Sequence, residues 1–342
     1  MKYNRLSLEV MMNGIWYENT HTRIPNFETT VHQKHKFGYA YETTSHFVHL
    51  SGRDVGVNVI SVGLTVIEQR SGTLNDWVRR VFGAQNISPL DNEIGHVTRG
   101  VWRPSLYYVN DTETALGIDE FEKRATEQAL RVLIEKLDDI FLYVEPSAHG
   151  LISYSHKCRE LLILACTEVE NQWVSIIGNS NLSRSNGRYS TNDYVKLLDK
   201  CYLSEYKIQY LNYDGLRHFK PFDGWNASTP TTSLSWYNAY NKTKHDRSGA
   251  FHFSTLENVM DAVAACVVMY CVKYGPFSLL EANTSLSTIV NQNFSISLDN
   301  SNPASYYIPE IELPPDTRTD LLIYDCYREN HNKAWVTDPL VL

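Results

Sequence analysis

Residues 235 to 252 read SWYNAYNKTKHDRSGAFH, a stretch that gathers one Trp, two Tyr, three Lys or Arg and two His ahead of the most apolar segment of the chain. On a helix, Trp236, Tyr240 and Lys244 recur at every fourth position, and Tyr237, Asn241 and His245 form the neighbouring stripe. His245 then falls in the last turn, where the helix dipole favours a cation. Arg247, a Ser-Gly break and His252 follow. An imidazole can move a proton to or from a ribose 2′-hydroxyl, and a guanidinium can brace a pentavalent phosphate with paired hydrogen bonds. The cluster therefore has the groups needed to cleave a phosphodiester without a metal. Basic residues gathered at a helix C-terminus are also what capping preference alone predicts.

On this reading His252, His245 and Arg247 are the candidate catalytic residues, with Asn241 and Lys244 positioning the backbone of the substrate. The passage LRHFK (216 to 220) adds Arg217, His218 and Lys220 to a possible electropositive face, or forms an ordinary solvated loop. Glu168 could pair with Arg247, and Arg159 could face a phosphate; the alternative for both is a helix surface or an ion pair inside the bundle.

The elements that must hold these residues are helical. GIDEFEKRATEQALRVLIEKLDDIFLYV places Phe121, Ala125, Leu130, Leu133, Leu137 and Ile140 on one stripe, with Asp119 as N-cap. SYSHKCRELLILACTEVENQWVSIIG predicts a second long helix ending near Gly178, whose centre LLILAC is apolar nearly all round. TNDYVKLLDKCYL predicts a third, capped by Thr191 or Asn192. STLENVMDAVAACVVMYCVKYG predicts a fourth, with a Ser254/Glu257 capping box and a Gly275-Pro276 stop.

Residues 1 to about 110 read mostly as strands, HFVHL and VGVNVISVGLTVIEQ being rich in β-branched residues and broken by SGRD and RSGT, with a short helix around LNDWVRRVFG closed by Gly83. The tail returns to strand-like text in SYYIPEIEL and DLLIYDCYREN. The pattern is α+β: a β-rich region over 1–112, a helical bundle over 113–288 and a β-rich segment over 289–342 that can pair with the first.

RELLILACTEVENQW (159 to 173), a variable polar region, WYNAYNKTKHDR (236 to 247) and a long apolar helix together resemble HEPN-type helical proteins. They resemble more closely a broad set of bacterial proteins carrying W-x3-YN-x2-KH-x-R. The resemblance spans roughly 115 to 290, about half the chain, and leaves both β-rich ends unexplained. It implies a bundle of four or five helices, commonly a homodimer with a composite cleft. Many such proteins are metal-independent endoribonucleases of toxin, CRISPR-associated or anti-phage systems, and others would be non-catalytic scaffolds for RNA, nucleotide or a protein partner. The hallmark is an Arg four to six residues before a His, often with a polar residue directly after the Arg; Arg247, His252 and Ser248 match it. The local text departs from the pattern, because the Ser254 cap starts the last helix after His252. Residues five apart on a continuous helix also diverge by about 140°.

The remaining features bound the answer. With 31 Lys and Arg against 39 Asp and Glu, the net charge of −8 argues against non-specific coating of nucleic acid, though not against a local basic site. Cys158, Cys166, Cys201, Cys266, Cys271 and Cys326 form no CxxC pair and read as reduced thiols. No signal peptide is apparent, and the apolar run AVAACVVMYCV is shorter than the ~20 residues a span needs; a soluble, cytoplasmic protein without a membrane partner is expected. HQKH and HFVH invite a zinc reading, but positions i and i+3 on a strand face opposite ways, so no metal and no cofactor is expected.

Overall fold

The computed structural model describes residues 14–21, 36–52, 57, 60–106, 109–184, 187–312, 322–324 and 333–342. The fold is mixed α+β, and the chain divides into two compact units. The first comprises Met1–Asp54, Asn58–His96 and Asn302–Val336, and the second comprises Val55–Val57, Val97–Ser301 and Thr337–Leu342. The crossings near 96 and 301 fall 16 and 13 residues from 112 and 288, where the sequence pattern changes character. Pattern follows periodicity, whereas the units follow packing, and Tyr306, Ile308 and Ile311 pack with the first unit's sheet.

The first unit is built on strands β1 (Ile15–Glu18), β2 (Phe37–Glu42), β3 (His46–Gly52) and β4 (Ile60–Gln69), then helix α1 (Leu74–Phe82) and strand β5 (Gln85–Pro89). Strand β6 (His96–Thr98) follows in the chain. The antiparallel sheet runs β5-β1-β2-β3-β4 and is extended beyond β4 by residues Leu322–Tyr324, with Thr65 opposite Tyr324. Alternation along the strands sorts the side chains onto two faces. Tyr17, Ala40, Phe47 and Val66 pack against Trp77, Val78, Val81 and Phe82 of α1. Tyr39, Tyr41, Val48 and Leu50 pack with Tyr306, Ile308 and Ile311 on the other. Gly83 ends α1 in the left-handed region, φ +62, which a residue with a Cβ seldom adopts.

The second unit begins with α2 (Val109–Leu116), α3 (Glu120–Phe141) and α4 (His156–Gly178). The short helices α5 (Thr191–Tyr194) and α6 (Leu197–Lys200) and strand β7 (Tyr206–Tyr210) follow. Next come α7 (Ser235–His245), α8 (Arg247–Ala250), α9 (Leu256–Tyr274), α10 (Phe277–Leu280) and α11 (Ser285–Asn293). Strand β8 (Phe294–Leu298) pairs antiparallel with β7. Leu322–Tyr324 is β9 in chain order, and β10 (Val336–Asp338) pairs with β6. No helix among the described residues is long and apolar enough to cross a membrane.

Helix α9 is the core of this unit: every residue from Val259 to Tyr274 is buried, and α3, α4 and α7 pack around it. Three local expectations are corrected. The helix expected over TNDYVKLLDKCYL is split into α5 and α6, because the ladder slips to three-residue bonds at Lys196 N to Asp193 O and Leu198 N to Val195 O. The N-cap of α9 is Thr255, whose hydroxyl accepts from Asn258 N at 3.3 Å. Ser254 instead closes the preceding turn, its N–H and its hydroxyl both bonding Phe251 O, the latter at 2.6 Å. On α3, Phe121 is 84% exposed, and the inward stripe runs instead through Lys123, Thr126, Leu130, Leu133, Leu137 and Ile140.

Lys123 and Thr126 can face inward because each has a partner, Glu113 at 2.6 Å and the Tyr274 hydroxyl at 3.2 Å. The same holds for Lys273, deep on α9, whose ammonium bonds Glu122 of α3 and, at 2.6 Å, Ser175 of α4. Desolvation pushes the Lys273 ammonium below its ordinary range. Glu122 is partly open to water, Lys273 scarcely at all, so the two partners are not equivalent. Glu122→Ala strands a buried ammonium and is expected to cost about 3 kcal/mol or more. Lys273→Met, which leaves a carboxylate that water can reach, should cost less than half of that. Urea unfolding of the two variants measures the difference, and equal losses would contradict this account of the network.

Candidate functional site

One face of α7 is committed to the core. Trp236, Tyr237, Ala239, Tyr240 and Thr243 are buried, and Trp173 of α4 sits among Trp225, Tyr237 and Trp236 with ring centroids 5.1, 5.4 and 6.3 Å away. The Trp236 indole donates to Pro221 O at 2.7 Å. Glu170 of α4 accepts from the Tyr237 hydroxyl at 2.6 Å and from Tyr240 at 3.3 Å. Lys244 in turn donates to the Tyr240 oxygen at 2.8 Å. Burial and then this carboxylate drive the Tyr237 phenol far above its ordinary value. The Tyr240 bond holds Lys244 protonated above the usual lysine range. Asn241 turns its amide back to Tyr237 O, 2.9 Å away on its own helix. Asn241 and Lys244 thus both have partners inside the motif.

The end of α7 is fixed from α4. Arg159 donates through Nε and Nη2 to Thr243 O at 3.3 and 3.0 Å, satisfying a carbonyl that the helix end leaves open. Arg159 therefore serves a peptide oxygen. Asp246 then turns extended, and its carboxylate caps α8 by accepting from Gly249 N at 2.8 Å and Ser248 Oγ at 3.2 Å. The Gly249 bond holds this carboxyl below its ordinary range. The break falls at Asp246, and Ser248 and Gly249 lie within α8.

An open hollow of about 540 Å³ lies at this junction, lined by His156, His245, Asp246, Ser248 and Phe251. His245 is the exposed last residue of α7. His156 is the first residue of α4, its ring 4.7 Å from that of Phe251, which Tyr154 meets edge-on at 5.6 Å. The backbone that carries Tyr154 is pinned to the start of α9 by the bond from Leu256 N to Ser153 O, 2.8 Å. The hollow thus has two imidazoles, one from each side of a helix junction, on a framework held by main-chain bonds.

Of the residues singled out in the sequence, His245 and Ser248 meet in this hollow. His252 does not line it: it is exposed on the next turn, its ring 4.2 Å from that of Phe253, over which Lys242 also lies. The Arg247 backbone opens α8, but its side chain lies outside the described residues, as do His32 and His35. His156 was not anticipated. The available signal was its position, because the positive end of a helix is an unfavourable place for a basic side chain.

Arg217 and Lys220 have carboxylate partners. Arg217 donates to Glu257 at 3.1 Å and to Asp261 at 2.7 Å, with its guanidinium 4.2 Å over the Phe219 ring. Lys220 pairs with Asp299 at 3.1 Å. Glu168 accepts from Gln172 at 3.2 Å. In the first unit, buried His49 lies between the Tyr17 hydroxyl at 2.6 Å and Ser51 at 3.2 Å, and His46 contacts Ser45 at 2.8 Å. No group of three metal-ligating side chains occurs among the described residues. Comparison of the chain with protein-family models, curated proteins and solved structures returned no match.

Asp261 supplies a test of how Arg217 is used. Its carboxyl is buried on α9, and desolvation raises it to about 6 in spite of the guanidinium. A carboxyl raised on folding takes up a proton as the chain folds, so its contribution is fullest below pH 3.8 and is lost as pH rises through about 6. Asp261→Asn mimics the protonated form. The variant should gain on the wild type between pH 4 and 7, by up to about 3 kcal/mol. Thermal melts of both proteins across that range check it; a constant difference would show that Asp261 does not titrate there.

Proposed function

We propose that this chain is a metal-independent RNA endonuclease whose reaction is carried by the hollow at the end of α7. The observation that supports this reading is the shared position of His245 and His156 on one open hollow. Cleavage of an RNA phosphodiester without metal needs two proton transfers, and imidazole is the side chain that titrates nearest neutrality. One imidazole takes the proton of the ribose 2′-hydroxyl as that oxygen attacks phosphorus. The other gives a proton to the departing 5′-oxygen. The products are a 2′,3′-cyclic phosphate and a 5′-hydroxyl, with no net change in protons. Ser248, which lines the same hollow, can donate to a non-bridging oxygen once it leaves Asp246.

Relative to the sequence-based assignment, His156 takes the place given to His252. Arg247 keeps the phosphate role on its position in α8 beside Ser248. The HEPN-like resemblance belongs to this proposal and supplies its further content: a homodimer with a composite cleft, acting in a bacterial toxin or anti-phage defence system. The internal bonds of Trp236, Tyr237, Asn241 and Lys244 support a second reading, a non-catalytic HEPN-like scaffold that binds RNA, nucleotide or a protein partner.

Purified protein incubated with total RNA in EDTA separates the two readings. The nuclease should lose at least about 100-fold in rate in His245→Ala and in His156→Ala, should lose activity in Arg247→Ala, and should retain it in His252→Ala. Melting temperatures close to wild type would show that the losses are chemical. A wild type that melts normally and leaves RNA intact favours the scaffold.

A further inference from the structure

A second hollow of about 500 Å³, away from the α7 junction in sequence, lies at the C-terminal end of α3 and is bordered by residues after β7 and at the end of α11. The last turn of α3 contains no basic residue but carries Asp138 and Asp139. That arrangement inverts the usual preference, because the carbonyls at a helix C-terminus form its negative end and favour cations. Lys157 neutralises Asp139. No ion-pair or side-chain hydrogen-bond partner of Asp138 occurs among the described residues, and its carboxyl stands above the usual range through desolvation and the nearby charge of Glu135.

The rest of the hollow complements this carboxylate. Phe141 and Tyr213 form an aromatic corner, centroids 4.9 Å apart at 64°. Leu142 is 79% exposed at its edge. Asn212 donates to Asn293 Oδ1 at 3.0 Å, a geometry that leaves Asn212 Oδ1 as a second acceptor. The hollow therefore offers a charge, an amide oxygen, two aromatic rings and the negative end of a long helix.

We propose that this hollow binds an organic cation, a guanidinium or alkylammonium group, with Asp138 as counter-ion and the Phe141 and Tyr213 rings against the cation's apolar surface. A planar guanidinium can engage a carboxylate with two parallel bonds while its face lies on an aromatic ring. A phosphate is repelled by both Asp138 and the helix end. A neutral sugar could use the rings and amides but leaves the carboxylate without a partner. A bare metal ion gains nothing from the aromatic walls.

Isothermal titration of the full chain at low ionic strength tests this with four probes: N-acetylarginine amide, its neutral isostere N-acetylcitrulline amide, spermidine and N-acetylglucosamine. The expected result is saturable one-site binding of at least one of the two cations, with the citrulline derivative at least tenfold weaker than the arginine derivative where that is the cation bound. Asp138→Asn should weaken cation binding at least tenfold, and Tyr213→Leu at least threefold, both with melting temperatures near wild type. Preference for the arginine derivative points to a guanidinium presented by a partner chain, and preference for spermidine to a free polyamine. The proposal fails if neither cation saturates, if the arginine and citrulline derivatives both saturate with equal affinity, if Asp138→Asn binds undiminished, or if only the sugar binds.

Discussion

Helix α9 has no face left for water beyond its first turn. That condition governs the second unit, because a buried helix must have apolar neighbours on every side and a partner for every polar group it carries. Helices α3, α4 and α7 supply the neighbours. Its two buried charges, Asp261 and Lys273, draw Arg217 in one direction and Glu122 with Ser175 in the other. Thr255 caps its start, and Gly275, at φ +79, releases the chain at its end. The position of Arg217 at the surface follows from the first of these buried charges.

Helix α7 shows the same condition one layer out. Its aromatic face closes over α4, and the polar ends of its two tyrosines need an acceptor, which is Glu170. Lys244 then completes a relay from ammonium to phenol to carboxylate. A buried polar network of this kind fixes the roll and axial position of a helix more sharply than apolar packing alone, since each bond is lost if the helix shifts. Arg159 fixes the last turn. The network thereby holds the backbone of His245 still at the edge of the hollow, although none of its members lines that hollow.

Much of this was legible in the sequence. Asp119 and Gly83, the bounds of α4 and the end of α7 follow from capping chemistry and period, which act within a few residues. What local text could not convey was the identity of partners. Arg217, Lys220, Asn241 and Lys244 have the chemistry of phosphate ligands, yet each is held by a group distant in sequence or one turn away on its own helix. Phe121 lies on an apolar stripe by spacing, but buried Lys123 and Thr126 rotate α3 away from it, a consequence of Glu113 and Tyr274 being in reach. Ser254 and Thr255 are equivalent as caps by type; what separates them is that the Asn258 N–H reaches the Thr255 hydroxyl while Ser254 closes the preceding turn on Phe251 O.

The two hollows share a feature that sequence reading can use. Each contains a titratable residue at the end of a long helix where the dipole does not favour it: His156 at the positive end of α4 and Asp138 at the negative end of α3. Asp119, Asp76 and Arg79 obey the preference. Opposing it at an exposed position costs at most about 1 kcal/mol, and such a residue is either neutralised by a neighbour or left open to solvent and to groups that solvent brings. Asp139 is the first case, through Lys157, and Asp138 is the second. The informative residues are those whose charge the fold does not itself balance, and dense clusters such as the one around Lys244 are informative about packing instead.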